Sequence, residues 1–222
     1  MVTQTGPDAT PRLPLSKERV LRVAVELADR GGSDAVSMRK LGQALGVDPM
    51  SLYHHVKDKG DILDGIVDVV VGEIDEPPAA AEWKTGLRDL VMAARAVMLR
   101  HPWAPRVIES RPDPGPATLR YMDTVLGILR DGGFSIDMAH HSMHVLGSRI
   151  LGFSQDLFDD NAADPEVAAL VARQLAGVYP RIGELALAVN HEGGLGGCDD
   201  DVEFAFGLDL ILDGLERFRV AG

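Results

Sequence analysis

The sequence predicts an all-α fold, and three observations support this prediction. Apolar residues recur at i, i+3, i+4 and i+7 in one segment after another. Clusters of proline and glycine separate these segments at helical lengths. No segment alternates apolar and polar residues for long enough to form a strand, and no internal repeat is visible. We therefore expect helices joined by short turns.

Four helices are expected before residue 75, and local start and stop signals mark each of them. Ser16 and Ser37 are N-cap residues for the first two, because a hydroxyl accepts from free N–H groups at a helix start. Asp48-Pro49 starts the third, since proline suits the first helical position. Glycines end the first two. The predicted ranges are 17–30, 38–45, 49–56 and 58–74.

The stretch from Asp75 to Ala81 breaks the pattern, which then resumes over the rest of the chain. A further turn is expected from Arg111 to Pro116, and the acidic, glycine-rich stretch from Gly193 to Asp201 is expected to be a loop. The predicted helices of this part are 83–100, 103–109, 117–130, 135–159, 165–179 and 202–219.

Length and composition exclude several classes of protein. The chain has 222 residues, of which 45% are hydrophobic and 25% charged, so intrinsic disorder and collagen are excluded. Cys198 is the only cysteine, which excludes an intrachain disulfide and fits a reducing compartment. No apolar run of 18 residues is present, and residues 1–14 lack the apolar segment of a signal peptide. We expect a cytoplasmic protein with no membrane partner.

The net charge of −12 argues against nucleic-acid binding until its distribution is considered. Between Arg12 and Gly60 there are nine basic and six acidic residues, a balance of +3, so the remainder carries −15. The N-terminal segment is thus the one part of the chain with a charge suited to DNA.

The second and third predicted helices match a helix-turn-helix, with Gly46 in the tight turn between them. In this motif the second helix enters the major groove and the first crosses the phosphate backbone. Apolar residues expected to join the two helices are Leu41, Leu45, Val47, Leu52 and Val56. From spacing and charge alone, a short helical hairpin without DNA contacts stays open as an alternative.

The segment SMRKLGQALGVDPMSLYHHVKDKGDILDGI, from Ser37 to Ile66, resembles the DNA-binding signature of the tetracycline-repressor (TetR) family. Two later segments, GFSIDMAHHSMHVLGSRILGF and FAFGLDLILDGLE, are similar to the last two major helices of that family's tetracycline-binding members. The resemblance implies a homodimeric repressor that binds double-stranded DNA at a palindromic operator and releases it when a small molecule enters the larger domain.

The resemblance also implies which residues contact DNA. Arg39 matches a base-contacting arginine and Lys59 a phosphate-contacting lysine. A Gln-Pro pair of tetracycline repressor is replaced by Pro49-Met50, and a tryptophan by His54, so the operator sequence should differ. The expected DNA contacts are Ser37, Arg39, Lys40, Pro49, Met50, Ser51, Tyr53, His54, His55, Lys57 and Lys59.

On the ligand side, the metal-holding histidine of tetracycline repressor falls near Ile108, which coordinates nothing. A metal–tetracycline effector is therefore not expected, and we expect no metal and no cofactor. The matching pocket is mostly apolar, as small-molecule pockets are, although each of its residues could equally be core. The expected lining is Leu90, Ala94, Trp103, Ile108, Met122, Val125, His144 and Ser148.

For the homodimer, helices 135–159 and 202–219 are expected to pair with their copies across a twofold axis. Glycine allows close approach on the first helix, and large apolar residues supply burial on the second. The expected interface residues are Gly147, Leu151, Phe204, Leu208, Ile211, Leu212 and Leu215.

Four regions follow from these boundaries: a disordered tail (1–14), a helix-turn-helix domain (15–60), a connector helix and linker (61–81), and a ligand-binding and dimerisation domain (82–222). His140, His141 and His144 are weighed as metal ligands, with hydrogen-bonding or pocket-lining histidines favoured. Cys198 is weighed as a redox sensor and disfavoured, because its acidic neighbours raise a thiol pKa.

No motif of an enzyme is present. The alternative function is a helical small-molecule-binding protein without specific DNA recognition.

Overall fold

The computed structural model of the chain describes residues 14–78, 81–111, 113–152, 170, 173–174, 176–188 and 200–219. Within those residues every regular element is a helix, which confirms the all-α prediction. The α-helices are α1 (Lys17–Gly31), α2 (Met38–Leu45), α3 (Pro49–Leu52), α4 (Lys59–Val71), α5 (Trp83–Arg100), α6 (Ala104–Ser110), α7 (Pro116–Asp131), α8 (Ile136–Leu151), α9 (Pro180–Ala188) and α10 (Asp200–Glu216). A single 3₁₀ turn, Ser33–Ala35, follows α1.

Short polar side chains start five of these helices. In each case the side-chain oxygen accepts from a backbone N–H two or three residues later, which satisfies a donor that has no partner inside the helix. The caps and their donors are Ser16 with Arg19, Ser37 with Lys40, Asp48 with Met50, Asp58 with Asp61 and Ser135 with Met138, at 2.7 to 3.3 Å.

The structure departs from the predicted helices at several points. Helix α4 ends at Val71 instead of residue 74, and α10 spans Asp200–Glu216 instead of 202–219, so that Asp200 and Asp201 of the predicted loop are helical. Helix α3 ends at Leu52, and the chain continues through short-range turns, with the N–H of His55 donating to the carbonyl of Leu52 at 2.9 Å. Helix α9, which opens on Pro180, was not predicted. The predicted helix 165–179 and the second half of 135–159 lie mostly outside the described residues.

Two compact units make up the chain, and they are not contiguous in sequence. One contains Met1–Glu76 and Ala93–Thr124, and the other contains Pro77–Met92 and Val125–Gly222. In the first unit α4 packs against α1 and α6, and α2 packs against both α1 and α3. Its core includes five fully buried residues: Val20, Leu41, Leu52, Ile62 and Ile66.

Polar contacts fix the two ends of α4 in this unit. Near its start, Asp61 accepts from the ammonium of Lys17 and the backbone N–H of Lys57, both at 3.0 Å. The hydrogen bond from Lys57 and then that from Lys17 lower the pKa of Asp61. Near its end, the carboxylate of Glu73 accepts a hydrogen bond from the guanidinium of Arg100 at 3.0 Å and lies 3.3 Å from Nε2 of His101.

Asp29, at the end of α1, joins the same group of side chains. Its Oδ1 accepts from the indole N–H of Trp103 at 2.7 Å and lies 2.7 Å from Nδ1 of His101. Both rings are 7% exposed, so their nitrogens have little access to water. Because a buried polar group without a partner is costly, this carboxylate holds the α5–α6 junction against α1.

In the second unit α8 packs on α10, and Arg149 joins them. Its guanidinium lies 4.7 Å from the ring centre of Phe204 and donates to the carbonyl of Glu203 at 2.7 Å. The start of α5 is held to α10 by two ion pairs one helical turn apart, Lys84 with Asp213 and Arg88 with Asp209. Each carboxylate raises the pKa of its basic partner, chiefly through the hydrogen bond.

Glycine at position 42 permits the close approach of α2 and the following turn. A Cβ built on Gly42 would lie 2.9 Å from the carbonyl oxygen of Val47 and 3.1 Å from the nitrogen of Pro49. Both are backbone atoms, which do not move aside as a flexible side chain would. By contrast, a Cβ built on Gly127, in the middle of α7, meets no atom within 4 Å.

These two glycines give a matched test of the packing. We expect Gly42→Ala to lower the free energy of unfolding by about 1–3 kcal/mol, the usual cost of overpacking. Gly127→Ala should raise it by about 0.5–1 kcal/mol, because alanine is the better helix former. Urea unfolding followed by circular dichroism measures both. A Gly42→Ala protein as stable as Gly127→Ala would contradict the close packing of α2 on the turn.

Candidate functional site

Helices α2 and α3 form a helix-turn-helix in which local bonds fix the turn. Gly46 ends α2 in the left-handed conformation, with φ of 68°, where glycine is favoured. The N–H of Val47 donates to the carbonyl of Gly42 at 2.9 Å. Asp48 then caps α3 with Pro49 in its first turn. The turn therefore has one defined course, and it sets the direction in which α3 leaves α2.

Helix α3 and its extension separate buried from exposed side chains. Leu52 and Val56 are buried, as are Leu41 and Leu45 of α2, and Val47 is half-buried, as expected for residues that join the two helices. On the other side Met50 is 70% and Tyr53 48% exposed. Exposing large apolar surface to water is unfavourable. Here that surface belongs to the helix that, in this motif, enters the major groove.

The remaining predicted DNA contacts divide by exposure. Arg39, Lys40, His54, Lys57 and Lys59 are exposed, and Pro49, Ser51 and His55 are half-buried. Ser37 caps α2, and its hydroxyl oxygen accepts a hydrogen bond from the backbone N–H of Lys40. The exposed set therefore extends from α2 through α3 and the turns after it to the start of α4.

The unit that contains this motif also contains a cavity of about 380 Å³. The volume lies in the range of roughly 300–1,000 Å³ usual for small-molecule sites. Helices α4, α6 and α7 and the α6–α7 turn form its walls. The lining residues are Asp64, Val67, Ile108, Arg111, Asp113, Pro114, Gly115, Thr118 and Met122.

An ion pair crosses one wall of this cavity. The guanidinium of Arg111 donates to both carboxylate oxygens of Asp64, with the Nη2–Oδ2 distance at 2.5 Å. This hydrogen bonding raises the pKa of Arg111, and the charges of Asp64, Asp58 and Asp113 act in the same direction. The bidentate geometry is the strong form of an arginine–carboxylate contact.

Asp68, one helical turn after Asp64 on α4, makes a second contact with the same turn. Its Oδ1 accepts from the backbone N–H of Ala117, in the first turn of α7, at 2.5 Å. A Cβ built on Gly115 would lie 2.7 Å from this oxygen, so the close approach requires glycine. Two carboxylates of α4 thus hold the α6–α7 turn.

The eight residues predicted to line a ligand pocket are placed differently from one another. Ile108 and Met122 line the cavity. Leu90, Ala94, Trp103 and Val125 are buried, and the indole N–H of Trp103 is used by Asp29. His144 and Ser148 are exposed on α8, where the Ser148 hydroxyl donates to the carbonyl of His144 at 2.9 Å.

Sequence reasoning missed the polar lining of the cavity. Asp64 lies on a helix interpreted only as a connector, and Arg111 and Asp113 belong to a segment interpreted only as a turn. The available signal was the unusual series of Pro and Gly around two charged residues from Arg111 to Pro116, since loops of this kind often carry function.

The histidines of α8 form a hydrogen-bonding group. Nε2 of His140 and Nε2 of His144 lie 3.0 Å apart, so one ring donates to the other. In the part of the chain that the structure describes, no group of three or more His, Cys, Asp or Glu side chains is placed to hold a metal ion. Cys198 lies outside the described residues. Among the described helices none is both long enough and apolar enough to span a bilayer.

The predicted dimer residues of α10 are mainly packed inside one chain. Phe204, Leu208, Leu212 and Leu215 are at most 8% exposed, and Ile211 is half-buried. The opposite face of α10 carries Val202, Phe206 and Leu210, which are 59%, 61% and 57% exposed. On α8, Gly147 and Leu151 are half-buried. The apolar surface that α10 presents outward is therefore a stripe different from the predicted one.

Comparisons with known proteins agree with this architecture. Residues 20–66 match the family model described as bacterial regulatory proteins, tetR family. Residues 76–219 match the tetracyclin repressor-like C-terminal domain. Residues 67–75, inside the predicted connector, separate the two matches, which together cover most of the chain.

Similar proteins are transcriptional regulators. The HTH-type transcriptional repressor DrrR1 of Streptomyces coeruleorubidus is 29% identical over 96% of this chain and 82% of its own length. Tetracycline repressor protein class D of Escherichia coli is 34% identical over 91% and 89%.

Among solved structures, apo ActR of Streptomyces coelicolor superposes with a TM-score of 0.72 at 27% identity, covering 91% of this chain and 95% of its own. ActR in complex with actinorhodin gives a TM-score of 0.69 at 28% identity over 92% and 98%. With a helix-turn-helix in its first unit and family matches over both parts of its sequence, this chain belongs to the TetR family of transcriptional regulators.

Proposed function

We propose that this chain is a homodimeric repressor that binds a palindromic operator through α2 and α3 and leaves it when a small molecule binds. The observation that carries the proposal is the exposed face of α3, in a helix-turn-helix that belongs to a chain matching the family over both of its parts. The relatives are bacterial regulators, so we place the protein with the DNA of such cells, in the cytoplasm.

In the DNA complex, α3 would lie in the major groove with Met50, Tyr53 and His54 toward the bases. Arg39 would add a bidentate contact to a guanine, and Lys57 and Lys59 would neutralise phosphates. Exposure of all six side chains supports these roles. A dimer would present two such helices roughly 34–36 Å apart, one turn of the duplex.

The first test separates base reading from charge. An operator is selected from a randomised duplex library, and binding is then measured by gel shift on that operator and on random DNA. Arg39→Ala should weaken operator binding by about 1–3 kcal/mol while largely sparing random DNA. Arg30→Ala is the control, because Arg30 is an exposed arginine of α1 paired with Glu26. An equal loss on both DNAs would show that Arg39 only supplies charge.

For the effector, we infer that the cavity bounded by α4, α6 and α7 is the place where ligand binding reaches the DNA-binding helices. Helix α4 packs directly on α1, and its carboxylates Asp64 and Asp68 hold the turn beside the cavity. A molecule inserted there would strain these contacts and shift α4. A ligand shifts an equilibrium only through different contacts in the two states, and these contacts supply such a difference.

For the dimer, the exposed stripe of α10 is the surface we assign to the twofold interface. Val202, Phe206 and Leu210 follow one another at intervals of four residues, so they share a face. The ion pairs of Asp209 and Asp213 with α5 hold this helix in place. A Cβ on Gly147 of α8 or Gly214 of α10 would meet no atom within 4 Å, which leaves room for close approach.

The dimer proposal is tested by placing a charge on the stripe. Phe206→Asp removes from each protomer an aromatic ring that the proposed interface would bury, about 1.5–3 kcal/mol per ring, and adds two carboxylates to that interface. We expect a monomer that no longer binds operator. Leu119→Asp is the control, since Leu119 is 52% exposed on α7. Sedimentation equilibrium measures both. A dimeric Phe206→Asp protein would place the interface elsewhere.

A ligand-binding protein without specific DNA recognition is the second candidate. It predicts that the selected operator binds no better than random DNA for the unmodified chain. The charge distribution around the helix-turn-helix favours the repressor, because Arg39, Lys40, Lys57 and Lys59 are all exposed around α3.

A further inference from the structure

The charges around the cavity indicate the chemical class of the effector. Asp64, Arg111 and Asp113 are its charged lining residues, a balance of −1. The rest of the lining is apolar or neutral, with Val67, Ile108 and Met122 offering side-chain carbon. A ligand that fills this space must have an apolar part, and any charge on it should be positive, opposite to that of the carboxylates.

The single positive charge of the lining is already neutralised. The guanidinium of Arg111 donates from Nε and Nη2 to the two oxygens of Asp64. An incoming anion would therefore have to displace a carboxylate that is part of the cavity wall. The same anion would face the charge of Asp113. Moving a charge into such a site without a free partner is unfavourable.

Asp113 has the opposite property. Its side chain is exposed to solvent, and its carboxylate has no hydrogen bond or ion pair with the residues that the structure describes, although its charge acts on Arg111. It lies beside Pro114 and Gly115 in the wall of the cavity. An ammonium group on a ligand would donate a charge-assisted hydrogen bond to this carboxylate.

We propose that the effector is an amphipathic cation, with an apolar ring system against Val67, Ile108 and Met122 and a protonated amine on Asp113. This inference rests on the proposed function, because it names the ligand class of the cavity assigned there to the effector. It also links binding to the switch, since an amine on Asp113 offsets the negative charge that this carboxylate exerts on Arg111, whose ion pair with Asp64 joins α4 to the end of α6.

The test uses three probes with one ring system and the full chain without DNA. At neutral pH 9-aminoacridine is a cation, acridine is neutral and acridine-9-carboxylate is an anion. Fluorescence titration and calorimetry give their dissociation constants. We expect the cation to bind about tenfold more tightly than either of the others, as for a hydrogen bond to a charged group, and its affinity to fall as salt is added.

Variants identify the carboxylate responsible. Asp113→Asn should reduce the affinity for 9-aminoacridine to that for acridine, and Asp113→Lys should make the carboxylate probe the tightest of the three. Asp131→Asn is the control, because Asp131 is exposed at the end of α7, and it should change nothing. Thermal unfolding of each variant confirms that it is folded.

The proposal is overturned if the anion or the neutral probe binds as tightly as the cation, if none of the three binds, or if Asp113→Asn leaves the order unchanged. These measurements involve no DNA. Their failure would leave operator recognition standing, whereas loss of operator selectivity with intact amine binding would overturn the repressor function alone.

Discussion

The packing of α4 against α1 is the constraint on which the rest of the first unit depends. A Cβ built on Gly65 would lie 2.5 Å from a methyl carbon of Leu21, so the two helices are in contact where glycine stands. Ile62, Ile66 and Val70 bury the face of α4 around this point. Because interiors are packed as densely as crystals, α4 cannot move without moving α1.

The polar side of the same helix explains how this constraint extends to the cavity. Asp61, Asp64 and Asp68 follow at intervals of three and four residues and therefore lie along one edge of α4. Each holds a different partner: Lys17 of α1, Arg111 at the end of α6, and the backbone of Ala117 in α7. The row of carboxylates thus attaches α4 to α1 at one end and to the turn beside the cavity further along the helix. The individual contacts are partly exposed and modest in energy, which suits a device that a ligand must be able to change.

The sequence was sufficient for features decided by neighbouring residues. Ser16, Ser37 and Asp48 cap helices where they were expected to, because a cap needs only its own side chain and the next few N–H groups. The signature from Ser37 to Ile66 likewise identified the family, since it spans one continuous motif. Of the cavity lining, Ile108 and Met122 were predicted but the polar residues were not predictable in this way. The contact between Arg111 and Asp64 joins residues 47 positions apart, and nothing in either segment alone specifies the other. Helix α10 was ambiguous for a different reason: it is apolar on two faces, and periodicity cannot say which face the chain itself covers. Phe204 and Leu208 proved to be covered, and Phe206 and Leu210 exposed.

Charge distribution reconciles an acidic chain with an acidic partner. The segment from Arg12 to Gly60 carries +3 while the remainder carries −15, and exposed surface charges act over about 8–10 Å at physiological salt. At that range the charges nearest α3 matter more than the total, and there the exposed Arg39, Lys40, Lys57 and Lys59 outnumber the exposed Asp48 and Asp58. The net charge of −15 on the remainder, the acidic body, opposes the approach of a duplex to the rest of the chain and so favours encounters at the helix-turn-helix. The same acidic body raises the local concentration of cations. One distribution of charge therefore favours both an anionic partner at α3 and a cationic one at the cavity, which keeps the two binding events chemically separate on a single chain.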